Sequence, residues 1–193
     1  MFCRYLFNMK DIIRKVLREN EFSDKKKQLI FKLWDREKMA GKPPQVNSAL
    51  AKSIGHHNIG ILESWLLEWY GGYKRIEEMM RNEFLDKTLS ISDMSEKYGV
   101  MIGSYDFKFK ITNLKIIEEP VNEDYICYTD FEIPEGIVDA FDGNTYDLTK
   151  LGELNDDLEW EITLEIKDVI NALCVSFGMR YGLIFSETSS MWV

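Results

Sequence analysis

Apolar residues recur at helical spacing through the first half of the chain and at alternating spacing through much of the second. Ile12, Ile13, Val16 and Leu17, then Leu29, Ile30, Leu33 and Trp34, then Ile61, Leu62, Trp65, Leu66 and Trp69 form one-sided stripes of the kind an amphipathic helix carries. Ser23 and Asp24 suit a helix start, "GKPPQVN" from Gly41 breaks the chain, Asn47 or Ser48 restarts it, and Gly71-Gly72 ends the helix that bears the tryptophans. The pattern predicts helices near 9–20, 24–39, 47–55, 58–70 and 73–85. Each has one apolar side and needs a partner to bury it.

Beyond residue 100 the period shortens. "YDFKFKITNLKII" alternates through Phe107, Phe109 and Ile111 and then changes phase to Leu114 and Ile116, which predicts a strand with a bulge near Thr112-Asn113. "DYICYTDFEI" reads as the next strand, with "EEPVNED" as a hairpin connection. "IPEG" and "FDGN" read as turns, followed by a short strand at about 145–150. "LEWEITLEI" alternates strictly and predicts a strand with Leu158, Trp160, Ile162, Leu164 and Ile166 in the core and Glu159, Glu161, Thr163 and Glu165 in water. A helix near 167–177 and a strand in "RYGLIFSE" complete the pattern. The segment from Asp86 to Ser104 reads as a linker or a short helix begun at Ser92, and a domain boundary is expected inside it. The expected fold class is α+β: an N-terminal helical domain over 1–90, then an antiparallel β-sheet with a packed helix over 100–193.

With 193 residues, 45% hydrophobic and 13% aromatic, the chain can bury a substantial core, which excludes global disorder. Its longest apolar runs fall far short of the roughly 20 residues that span a bilayer, and Asn8, Lys10 and Asp11 interrupt any secretory leader. A cytoplasmic protein is expected. Met9 opens the first amphipathic segment, and residues 1–8 stand apart from it. Charge divides the chain: residues 1–86 hold 16 Lys and Arg against 12 Asp and Glu, a balance of +4, and residues 87–193 hold 8 against 21, a balance of −13. The acidic half disfavours a polyanion and the basic half tolerates one.

Residues 48–70, within "SALAKSIGHHNIGILESWLLEWYGG", resemble a degenerate helix-turn-helix pair. The second helix carries Glu63 and Glu68 and neither Lys nor Arg, the wrong chemistry for reading bases. Trp65, Trp69 and Tyr70 are candidate interaction aromatics, able in principle to stack on single-stranded bases and more simply the inward stripe of a packed helix. Lys10, Arg14 and Arg18 recur every four residues, and Lys25, Lys26 and Lys27 follow. These six are the candidate partner-binding residues, suited to phosphates, an anionic surface or an acidic protein, with a merely solvated face as the simpler reading.

No catalytic constellation emerges. Cys3, Cys127 and Cys174 form no C-x-x-C and have only His56 and His57 as potential co-ligands, so neither a metal nor a cofactor is expected. Cys127 and Cys174 read as core residues in a reducing compartment. "DAFDGNTYD" places Asp139, Asp142, Asn144 and Asp147 around Gly143 without the spacing of a calcium loop. Phosphate-loop, dinucleotide, nucleophile-elbow and H-E-x-x-H motifs are lacking.

"MKDIIRKVLREN" from Met9, followed by a lysine-rich helical region and an acidic β-rich tail, resembles uncharacterised proteins of large tailed bacteriophages. The resemblance implies a viral protein, either a virion component associated with tail or capsid or a small phage accessory protein, found in the host cytoplasm or the particle. The expected function is a non-enzymatic structural or protein-interaction module that self-associates or binds other chains. The alternative is a small nucleic-acid-binding regulator using the basic N-terminal helices.

Overall fold

A computed structural model describes residues 24–55, 59–100, 103–119, 124–148 and 156–192. The chain divides into two compact units, one up to Trp69 and one from Tyr70 to Val193. The division therefore falls at Trp69–Tyr70 rather than in the 86–104 segment where the sequence pattern places it.

The described part of the first unit is helical. It holds α1 (residues 24–39), α2 (Ser48–Ser53) and all but the last residue of α3 (Ile59–Tyr70). Asn47 caps α2, its side-chain oxygen accepting the Leu50 N–H at 2.8 Å, and Gly55 leaves the helix with φ +79°, a conformation that favours glycine. Ile30 and Trp34 of α1, Ala51 of α2, and Leu62, Trp65 and Leu66 of α3 are buried. The α3 stripe read from sequence thus faces inward, whereas in α1 Ile30 and Trp34 do so and Leu29 and Leu33 are exposed. The predicted helix near 9–20, and His56 and His57, lie outside the described residues.

The second unit contains α4 (Tyr73–Phe84), β1 (Thr88–Ser90), α5 (Ile91–Tyr98), β2 (Tyr105–Glu118), β3 (Tyr125–Glu132), β4 (Ile137–Ala140), β5 (Thr145–Asp147), α6 (Asp156–Met179) and β6 (Phe185–Trp192). Hydrogen-bonded neighbours follow the path β5-β4-β2-β3-β6, with β1 also paired to β2. Among the described residues every strand pairing is antiparallel except β3 with β6, which is parallel, so the sheet expected to be antiparallel is mixed. The register of β2 on β3 shifts between Ile111 and Asn113, the bulge that the phase change foretold. It turns Leu114 and Ile116 to the buried side that Phe107, Phe109 and Ile111 occupy before it. Ser90 rather than Ser92 caps α5, its hydroxyl accepting the Asp93 N–H at 3.2 Å, and Gly99 ends the helix in the left-handed region.

One expectation is corrected. Residues 158–166 are not a strand; they form the first half of α6, a single helix of 24 residues that also contains the segment expected to be helical. Ile162, Ile166, Val169, Ile170, Leu173, Cys174 and Phe177 are all buried and follow one another at helical spacing. No glycine or proline stands between Asp156 and Phe177 to make the turn that a strand-to-helix change requires. Ile162 and Ile166 satisfy a period of two as well as a helical one, and the continuous stripe decides between them. Topology agrees, because strands paired in parallel need a long crossover, and α6 lies between β3 and β6 in the chain. Trp160 and Leu164, assigned to the core by the alternating pattern, are instead 68% and 42% exposed. Among the described residues no helix is long and apolar enough to cross a membrane.

Candidate interaction surfaces

In the first unit the lysines of the basic cluster differ in surroundings. Lys26 donates to the Ile54 carbonyl at 2.6 Å, satisfying a backbone acceptor at the end of α2. Lys27 forms an ion pair with Glu68 and lies 5.7 Å from the centroid of the Phe31 ring. Lys25 lies on an exposed face of α1 with Gln28, Leu29 and Lys32. Two of the three lysines therefore act within the unit. Lys10, Arg14 and Arg18 lie outside the described residues.

The candidate aromatics also separate. Trp65 is core. Trp69 meets Trp34 edge-on at 6.0 Å, its indole N–H donates to Asp35 at 3.0 Å, and Lys38 sits 5.3 Å from its ring. Such a ring is held on several sides and is not a free stacking platform. Tyr70 opens the second unit and meets Tyr181 edge-on at 4.8 Å; burial raises its hydroxyl pKa, with the neighbouring Tyr181 adding to the effect. All three act chiefly in packing.

In the second unit, the edge of β2 opposite β3 meets a succession of different partners. β4 follows β3 on the other edge of β2, pairing with Tyr105 to Phe107; on this one Glu165 accepts the Tyr105 N–H at 2.9 Å and β1 pairs with Lys108 to Lys110. Leu85 then bridges to Ile111, and the Asp86 N–H donates to the Ile111 carbonyl at 3.0 Å. Where no strand remains, α4 supplies side chains: Arg81 donates to the Leu114 carbonyl at 2.5 Å, and Glu77 accepts the Ile116 N–H at 2.7 Å. Glu77 and Arg81 are four residues apart and share one helix face, so one helix substitutes for a missing strand. Beside them an open groove of about 660 Å³ is lined by Tyr73, Lys74, Glu78 and Lys115 among others, with charges of both signs.

The outer face of α6 is different in kind. Trp160 and Leu164 lie one helical turn apart and exposed, with Asp157, Glu161 and Asp168 also exposed on the helix. A tryptophan with this exposure is uncommon on a surface that meets only water. The sequence carried the signal, since a helical reading of 156–179 places Trp160 and Leu164 opposite Ile162 and Ile166.

The remaining candidates have structural partners. Asp142 accepts the Asn144 N–H at 3.0 Å and its side-chain amide at 2.9 Å, and Asp139 accepts the Thr145 hydroxyl at 2.7 Å, a self-satisfied turn. Among the described residues no group of three or more His, Cys, Asp and Glu is placed to hold a metal ion. Cys127 and Cys174 are buried free thiols in mutual contact; their hydrogen bond, followed by burial, pushes the Cys174 thiol well above its ordinary range. Glu83 receives hydrogen bonds from Lys97 and from the Tyr98 hydroxyl, and these hold its carboxyl below the usual carboxylate range. Comparison with protein-family models, with curated proteins and with solved structures finds no match to this chain.

Proposed function

We propose that the protein is a non-enzymatic interaction module that contacts a partner chain through the outer face of α6. The observation that carries this reading is the exposed Trp160–Leu164 pair, 68% and 42% accessible, on an acidic helix face. Tryptophan contributes more than most residues to binding when a partner desolvates it, and the surrounding carboxylates of Asp157, Glu161 and Asp168 favour a partner whose contact surface is basic at the rim and apolar at the centre. A tailed-phage particle, the setting implied by the N-terminal resemblance, is the proposed context.

The test is affinity capture with the intact protein followed by mass spectrometry, comparing the wild type with Trp160→Ala and Leu164→Ala together. Both positions are exposed, so the variant should fold. A partner retained by the wild type and lost by the variant supports the reading. Equal capture by both, or no capture together with a monomeric mass at every concentration, overturns it.

A further inference from the structure

Among the described residues, the sheet's two long edges are treated differently. Glu165, β1, a bridge and finally the side chains of Arg81 and Glu77 meet β2 opposite β3. On the far side of β3 stands β6, eight residues long and, among the described residues, paired to β3 alone. Among the described residues no side chain or strand bonds the backbone on its far side. Its sequence, "FSETSSMW", contains no Lys, Arg or Pro, the residues that ordinarily discourage edge pairing, and its one charge is Glu187.

We propose that β6 is a self-association edge, on which a second copy of the chain adds its own β6 in antiparallel orientation about a two-fold axis at Ser189. The proposal concerns a different surface from the α6 face and stands without it.

Charge and pleat together select this register. Past an irregularity at the start of the strand, Glu187 to Trp192 pair regularly with Ile126 to Phe131. The buried Ser190 bonds Asn171 of α6 at 3.2 Å, so Ser190 and Thr188 point to the helix-covered side. Glu187, Ser189 and Met191 then share the opposite face. In an antiparallel pair, opposed residues must point to the same side of the sheet, so the axis must pass through a residue rather than between two. Centring on Glu187 opposes two carboxylates directly, and centring on Thr188 places them on adjacent diagonals. Centring on Ser189 opposes Glu187 to Met191 of the other copy and separates the carboxylates by about 14 Å along the strand. Met191 is 59% exposed in the single chain and becomes a contact residue.

Sedimentation equilibrium of the full chain tests this. The wild type should approach twice its mass of 22.7 kDa as concentration rises. Met191→Glu puts like charges opposite each other at two symmetric positions and should weaken the dimer roughly two- to thirty-fold. Adding Glu187→Lys to it should restore or tighten association, and Trp160→Ala should leave it unchanged. With oxidised glutathione as the two-electron acceptor, Ser189→Cys should give a disulfide-linked dimer, each copy's thiol losing its proton while two glutathione thiols are released. Glu187→Cys should give no more than the wild type, since its two copies lie too far apart. A monomer throughout, or a dimer insensitive to Met191→Glu, overturns the proposal.

Discussion

Glu165 reaches from α6 to the start of β2, where its carboxylate accepts the Tyr105 N–H at 2.9 Å. The space it occupies is the space a Cβ on Gly103 would take. Gly103→Ala should therefore displace the carboxylate and release that bond, at a cost of about 1 kcal/mol by chemical denaturation. In a Glu165→Ala background the same glycine change should be nearly neutral. Additive effects in this double-mutant cycle would show that the two residues are uncoupled.

Removing Glu77 should both destabilise the second unit and bare an edge. Glu77→Ala leaves the Ile116 N–H without its acceptor, a loss of about 1–3 kcal/mol. Combined with Arg81→Ala it should promote association through β2, visible as concentration-dependent light scattering. Glu77→Gln keeps an oxygen in place and should retain most of the stability. Equal melting of Glu77→Ala and the wild type would refute the guard role.

Acid should selectively weaken the contact between Glu83 and Lys97. Because hydrogen bonds from Lys97 and Tyr98 depress the Glu83 pKa in the folded protein, the folded state binds fewer protons than the unfolded one as acidity increases. The stabilisation is complete above the unfolded carboxylate value of about 4.3 and is lost as pH falls through the lower folded value. Glu83→Gln should reduce the acid-limb slope of stability against pH. An unchanged slope would contradict the assignment.

Thiol reactivity offers a check on the core. With Cys174 raised by its hydrogen bond to Cys127 and by burial, both thiols should resist alkylation by iodoacetamide at neutral pH and react only as the unit opens. Peptide mass spectrometry distinguishes them from Cys3. Rapid labelling of Cys174 in the folded protein would be incompatible with the packing of α6 on β3.

The α+β class, the β2 bulge and the helical stripe of α3 are legible in sequence because each depends on periodicity within one element. The first half of α6 is misread because Leu158 to Ile166 fit two periods, and only the continuation through Val169 and Phe177 favours the helix. The Glu77 and Arg81 contacts are illegible for a different reason. Their partners are backbone groups of a distant strand, which carry no residue-specific mark. Lys26 is similar, since a lysine directed to the Ile54 carbonyl looks in sequence like any other surface lysine. The exposed Trp160 was hidden by the same ambiguity that concealed the helix beneath it.

Parallel pairing of β3 with β6 also imposes an order on synthesis. β3 is complete at Glu132, whereas its neighbour begins only at Phe185. At translation rates of about 5–20 residues per second, β3 waits roughly three to ten seconds for its partner to be made. Throughout that interval, one flank of β3, including Thr129 and Phe131, has no strand beside it. A nascent chain halted within α6 would keep this flank open indefinitely, making such a fragment a natural client for chaperones or proteolysis.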